Sequence, residues 1–334
     1  MRTSRYLRAG ALAAALLPVP AIAGQTEQGP AAYPTRPIRL VVVNPPGSGA
    51  DIVARMVGRR ISETLQQQII VDNRPGASGI VANDLVAKAI PDGYTLLMGS
   101  SSSQTINASI YTNLPYDPVR DLAPITMLAS TPYLMVAHPS LPAKSVAEVI
   151  ATAKEKPGQL NYAAGGLAVG STLAGELFKS IAAVNIVMVP YKGAPQATND
   201  VVAGQVQLAF STMPTGLPLV RSGKLRALGV TSAKRLTATP DIPTISESGL
   251  PGFEVQTWFG MLAPRSTAPV VLNRLHREAV AAVQQSDIRE KLAPQGYEVT
   301  GTSPAQFKVL IASEIVKWTR VVNSAGIPKL SVGE

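Results

Sequence analysis

Residues 38–43 read Ile38-Arg39-Leu40-Val41-Val42-Val43 and run directly into Asn44-Pro45-Pro46-Gly47-Ser48-Gly49-Ala50-Asp51. The first six are almost continuously apolar. That is the pattern of a strand covered on both faces, as in a parallel sheet. Prolines and glycines then break the strand. From Asp51 to Leu65 the apolar residues Ile52, Val53, Met56, Val57 and Ile61 recur on one helical face. A buried strand, a Gly-rich turn and an amphipathic helix together make the opening of a βαβ unit.

The same alternation continues along the chain. Ile69–Val71 and Tyr94–Met98 read as strands, with a helix over Ile80–Ala89. Further on, strands are predicted at Tyr133–Ala137, Leu160–Ala163, Ile186–Val189, Val206–Phe210 and Leu225–Val230. Helices are predicted at Ser145–Lys154, Thr172–Ile181 and Gln196–Ala203, and two longer ones at Pro269–Gln284 and Pro304–Ser324. Strands alternating with helices imply right-handed crossovers and an open α/β sheet. We place one lobe over residues 34–130 and a second over 131–250. The last stretch, 251–334, has no full sheet of its own and is expected to return to the first lobe. Two such lobes leave a cleft, and ligands of open α/β sheets sit beyond the carboxyl ends of the strands.

With 334 residues, 46% hydrophobic and 15% charged, the chain is long enough for about two domains and too apolar for bulk disorder. Cysteine is absent, which rules out thiol catalysis, Cys-ligated metals, disulfides and a lipidated N-terminal cysteine. Only His138 and His276 are present, too few for a multi-histidine metal site. Arg2, Arg5 and Arg8, the apolar run Ala9–Leu17, Pro18 and Pro20, and the small residues Ala21-Ile22-Ala23 form a Sec signal peptide over residues 1–23. Its apolar run falls short of the roughly 20 residues that span a bilayer. The three leader arginines account for three of the 30 basic residues, leaving 27 against 21 acidic, a net of +6 instead of +9. This mild excess, without a long basic cluster, does not point to nucleic acid.

Candidate binding residues lie in the loops after strands. In Gly47-Ser48-Gly49-Ala50-Asp51 the glycines let backbone approach a ligand, and the helix behind offers free N–H groups and its positive dipole end. Asp51 is expected to cap that helix. A plain strand-to-helix turn is the competing reading. No Walker A or Rossmann pattern is met. Gly165-Gly166-Leu167-Ala168-Val169-Gly170-Ser171-Thr172 repeats the arrangement in the middle lobe. Two such loops, one per lobe, suit a pincer around an anion. Ser100, Ser101, Ser102 and Ser103 with Thr105 either bond ligand oxygens or form a solvated loop capping a helix. Lys192 either pairs with an anion or covers an apolar wall. Arg74 is read as pinning a turn, Trp258 as packing, and both histidines as surface residues.

A family resemblance rests on ordered motifs. Pro34-Thr35-Arg36-Pro37-Ile38-Arg39-Leu40-Val41-Val42 leading into Pro45-Pro46-Gly47-Ser48-Gly49-Ala50-Asp51 resembles the opening of the Bug family of tripartite tricarboxylate transporter substrate-binding proteins. Asp72-Asn73-Arg74-Pro75-Gly76-Ala77-Ser78-Gly79, Pro91-Asp92-Gly93-Tyr94-Thr95-Leu96, Val189-Pro190-Tyr191-Lys192-Gly193-Ala194 and Ser222-Gly223-Lys224-Leu225-Arg226-Ala227-Leu228 continue it. Pro243-Thr244, Glu247, Gly249 and Trp258 complete it, so the likeness spans nearly the whole mature chain. Asn44 stands where members often carry an aromatic residue, and Thr172 where a histidine is common.

The resemblance implies a two-lobe Venus-flytrap fold of the type II periplasmic-binding class, with its ligand cleft between the lobes. It implies that Gly47–Asp51 and Gly165–Thr172 hold a small carboxylate through backbone amides. It implies a periplasmic, non-enzymatic, monomeric binding protein that serves a tripartite tricarboxylate-type permease. No cofactor or metal is called for. Two other functions stay open at this stage. One is a ligand-sensing adaptor for a sensor kinase. The other is an exported hydrolase, disfavoured because no Gly-x-Ser-x-Gly elbow pairs with a histidine.

Overall fold

The computed structural model describes residues 33–332 apart from 167, 192 and 193. The signal peptide over residues 1–23 and Lys192 lie outside the described residues.

β1 (Ile38–Val42) sits between β2 (Ile69–Asn73) and β3 (Thr95–Ser100), parallel to both, with Leu40 opposite Val71 and Leu96. Ile38, Leu40, Val41 and Val42 expose no surface. Alternate residues of this strand feed two separate cores. Val53, Ala54, Val57 and Ile61 of α1 (Gly49–Leu65) join Ile38, Leu40 and Val42 on one face. Ala82 and Val86 of α2 (Ile80–Ala87) join Val41 and Leu97 on the other. Burial on both faces is why the strand carries no polar alternation.

The polar run after β3 departs from expectation. It is neither a loop nor solvated: Ser102–Ile106 form a π-helical turn leading into α3 (Asn107–Ile110), and Ser100, Ser101 and Ser103 are buried. The serines tolerate burial because they satisfy one another. Ser100 N–H donates to Ser103 Oγ at 3.2 Å, and Ser103 Oγ donates to the Ser100 carbonyl at 3.1 Å.

β4 (Leu122–Ala137) is sixteen residues long, whereas a strand was expected only from Tyr133. Leu122 to Pro132 pair antiparallel with β9 (Gln256–Pro264), which inserts between β3 and β4. Tyr133 to Ala137 pair instead with β7 (Leu208–Thr212), and Leu134 to Ala137 also with β8 (Arg226–Val230). Proline cannot donate to a strand ladder. Pro124 stands beside a register irregularity and Pro132 where the partners change, so both are accommodated. The expected lobe boundary at residues 130/131 falls inside this strand.

The second half of the sheet adds β5 (Asn161–Ala164), parallel to β7 and to β6 (Val187–Pro190). α4 (Val146–Glu155), capped by Ser145 as expected, and α5 (Gly170–Ala182) line one core, where Phe178 meets Phe210 and Phe253. α6 (Ala194–Val202) and α7 (Met213–Arg221) lie on the opposite core. α7 was not expected, because Pro214 and Pro218 argue against a helix; Pro214 falls in its tolerant first turn, and Pro218 lies inside.

Near the end come α8 (Pro269–Val283), α9 (Ser286–Leu292), β10 (Glu298–Val299) and α10 (Pro304–Ser324). α10 opens with a Ser303–Gln306 capping box. Its Phe307 and Ile311 pack in the core of the first half, and its Trp318, Val321 and Val322 in that of the second. It therefore fastens the two halves together. Among the described residues no helix is long and apolar enough to cross a membrane.

Candidate functional site

The turn before α1 is shaped by Gly47, whose φ of +79° favours glycine. The helix is capped by Ser48, which accepts from Asp51 N–H at 3.4 Å. The expected cap, Asp51, instead stands in the first turn and braces the loop from within. Its carboxylate accepts from Gly47 N–H at 2.9 Å, from Asn73 Nδ2 at 3.0 Å, and from Arg55 at 3.0 Å. Burial alone raises the Asp51 carboxyl, but Arg55, the Gly47 amide and Asn73 together hold it below its ordinary value. No described residue accepts from the amides of Gly49 and Ala50.

The turn before α5 is built differently. Gly166 has φ of +131°, and Thr172 Oγ1 donates back to its carbonyl, closing the loop on itself. The residue at the helix cap is Val169, in extended backbone, and a valine offers no side-chain acceptor. Thr172 and Leu173 N–H bond the Val169 carbonyl, while the amides of Gly170 and Ser171 find no acceptor among the described residues. Both loops thus present a pair of donors with no acceptor among the described residues, at the positive end of a helix longer than three turns.

A path of contacts links the two. A β-carbon on Gly49 would fall 2.8 Å from the Phe259 ring and 2.6 Å from the Tyr297 hydroxyl. Phe259 and Thr257 lie two residues apart on β9 and so project to the same face. The hydroxyl of Thr257 lies 3.2 Å from that of Ser101 and near enough to that of Tyr133 to favour its ionised form. The Tyr133 hydroxyl in turn occupies the space a β-carbon on Gly170 would need. Burial, offset in part by the Thr257 hydroxyl and reinforced by the charge of Glu314, pushes the Tyr133 phenol up to about 12. Gly49, Ser101 and Gly170 therefore border one continuous row of side chains, Phe259–Thr257–Tyr133.

The remaining singled-out residues separate. Ser102 is half-buried on the π turn, and Gly165 is half-buried at the end of β5. Arg74 pairs with Asp72 at 3.0 Å and Tyr191 donates to Asp200 at 2.7 Å, so both are engaged within the protein. Trp258 is buried and donates to Glu314 at 2.8 Å. The histidines are half-buried, not freely exposed: His138 meets Ser140, and His276 meets the Ile125 carbonyl. Tyr133, Thr257, Phe259 and Tyr297 escaped sequence reading, since single aromatic or Thr residues carry no spacing signal. The glycines opposite Tyr297 and Tyr133 were the one available hint. Among the described residues no group of three His, Cys, Asp or Glu is arranged to hold a metal.

Residues 53–327 match the profile of the tripartite tricarboxylate transporter family receptor. The chain is 37% identical to Protein BugT of Bordetella pertussis over 295 residues, 88% of this chain and 90% of that protein. It superposes on R. palustris Rpa4515, a structure with adipate, with a TM-score of 0.80 at 36% identity, covering 89% of this chain and all of the other. MatC from Rhodopseudomonas palustris, with bound malate, gives a TM-score of 0.75 at 32% identity, over 87% of this chain and all of the other. Their two-lobe periplasmic-binding fold is the architecture described above. Family membership makes this chain a solute-binding receptor and not an enzyme. The matched profile, the relatives and the sheet topology agree, and the chain belongs to the tripartite tricarboxylate transporter receptor family of extracytoplasmic solute-binding proteins.

Proposed function

We propose that this receptor captures a small carboxylate between the loops Gly47–Asp51 and Gly165–Thr172 and presents it to a tripartite tricarboxylate-type permease. The observation that carries the reading is the two pairs of amides without an acceptor among the described residues, Gly49 with Ala50 and Gly170 with Ser171, joined by the row Phe259–Thr257–Tyr133. Backbone donors fixed at helix N-termini hold an anion without a cationic side chain. Charge-assisted hydrogen bonds from them offset the desolvation of a carboxylate. Ser101 borders the same row through its contact with Thr257, and Ser102 and Lys192 are further candidates to bond the carboxylate.

The adipate and malate in the two similar structures place small dicarboxylates within the ligand range to be tested. In this reading residues 34–130 with 251–334 form one lobe and 131–250 the other. The ligand stabilises the closed form by bonding donors from both. The protein works as a monomer, exported to the periplasm by a Sec signal at residues 1–23.

The experiment is a thermal-shift and calorimetric screen of the mature protein against small mono- and dicarboxylates. Ligand at about 100 times its Kd adds about 2.7 kcal/mol to the folded state, a clear rise in melting temperature. Small-angle scattering with that ligand should show a smaller radius of gyration. A broad panel with neither a melting shift nor a contraction would sink the reading.

A further inference from the structure

We propose that Tyr297 is a specificity-determining residue of this site, its phenol hydroxyl donating to the ligand carboxylate held at the N-terminus of α1. The inference rests on the carboxylate-binding reading above and adds a side-chain donor to it.

Four observations meet at this residue. Tyr297 is 95% withdrawn from solvent, with 5% of its surface exposed. Its hydroxyl nevertheless has no hydrogen-bond partner among the described residues, and burial alone accounts for its raised pKa. Unlike the atoms that are both shut off from solvent and unpaired, such as Ser211 Oγ, this hydroxyl keeps contact with solvent while its ring is covered, so it is open to a partner that arrives from outside. The hydroxyl is aimed at the start of α1, 2.6 Å from where a Gly49 β-carbon would stand. Gly49 has no left-handed backbone to explain its identity, so the lack of a side chain there serves the close approach of Tyr297 and Phe259. The free amides of Gly49 and Ala50 lie at the same spot.

The chain is bent to deliver this ring. Gly296, with φ of +81°, closes the short helical turn Ala293–Gln295, and its N–H donates to the Ala293 carbonyl at 2.9 Å. A β-carbon on Gly296 would fall 2.8 Å from Met213, the first residue of α7. Tyr297 therefore follows a turn seated against the second half of the sheet, while its ring packs on Phe259 at 6.2 Å beside α1. A hydroxyl so placed adds a third donor to the two amides. It also sets how far a carboxylate sinks toward the helix.

The test compares wild type, Tyr297→Phe, Tyr297→Leu and Gly170→Ala by calorimetric titration with adipate, malate, succinate and benzoate. For any of these that binds the wild type, Tyr297→Phe should weaken binding about tenfold or more, the range for a lost bond to a charged group. Its ligand-free melting temperature should stay the same or rise, because the phenol is unbonded within the protein. Tyr297→Leu should lose both affinity and melting temperature, since it also removes packing. A near-ultraviolet tyrosine difference spectrum on ligand addition should appear in wild type and shrink in Tyr297→Phe. Wild-type affinity in Tyr297→Phe, together with lost affinity in Gly170→Ala, would overturn this inference and leave the binding reading standing. Failure of the wild type to bind any of the four, with no hit in the wider carboxylate screen, would overturn both.

Discussion

The hydroxyl of Tyr133 stands against the backbone of Gly170 so closely that no β-carbon fits between them. Tyr133 belongs to β4 at the point where that strand exchanges β9 for β7, and Gly170 opens α5. The contact fixes the height of the second amide pair relative to the junction of the two halves. Gly170→Ala should therefore lift the start of α5. We expect a loss of about 1–3 kcal/mol in urea stability from overpacking, and at least a tenfold loss of carboxylate affinity by calorimetry. Unchanged affinity would show that the contact does not position the amides.

Asp51 supports the first loop from inside. Asp51→Ala strips acceptors from Gly47, Asn73 and Arg55 at once. An expected cost of about 1–3 kcal/mol follows from leaving such groups unpaired. The sign with pH is set by its lowered value: its contribution is complete above the ordinary 3.8 and fades as pH falls through the depressed value. Urea midpoints of wild type and Asp51→Ala should converge on acidification. Parallel curves would refute this role.

Glu314 has the opposite sign. Its carboxylate meets Trp258 Nε1 at 2.8 Å and Thr105 Oγ1 at 3.2 Å. Thr105 Oγ1 divides its one proton between this carboxylate and the Ser101 carbonyl at 2.8 Å, so it supports the charged form only in part. Burial raises the Glu314 carboxyl, with Trp258, Lys317 and Thr105 opposing in part, and burial lowers the Lys317 ammonium. An acid raised on folding holds a proton that the unfolded chain has released above its ordinary 4.5, so its stabilising contribution declines as pH rises through that window. Glu314→Gln should flatten this decline in denaturation midpoints taken between about pH 4.5 and pH 8. A decline of unchanged slope in the variant would assign it to other groups.

Thr172 offers a test of loop closure alone. Its hydroxyl is fully buried and spent on the Gly166 carbonyl. Thr172→Val keeps the shape and leaves that carbonyl without its donor. We expect about 1–2 kcal/mol of lost stability and faster proteolysis of the 165–172 loop in the ligand-free protein. Ligand should suppress the added cleavage. Cleavage equal to wild type would mean that the hydroxyl does not hold the loop.

Local pattern was sufficient for much of the architecture. The run Ile38–Val43 had to be a strand covered twice, and Pro304 to Ser324 had to be a helix, because periodicity and capping are properties of neighbouring residues. The two Gly-rich turns were equally legible, since a free helix N-terminus follows from the turn itself. β9 and the first half of β4 were not, because a strand buried between partners is defined by residues distant in sequence, and Pro124 and Pro132 masked it. That Ser100, Ser101 and Ser103 are buried and not a solvated cap was hidden for the same reason: their hydroxyls find partners only once the turn is wound.

What the linear chain settled, then, was which segments are strands, which are helices and where backbone donors lie bare. Which side chains stand between those donors was decided by tertiary structure alone. Tyr133, Thr257, Phe259 and Tyr297 come from three separate stretches and gather because β4, β9 and the Gly296 turn pack side by side. Hydrogen bonding along the backbone is local, whereas the walls of a cleft are made by contacts that close only when the whole sheet is assembled.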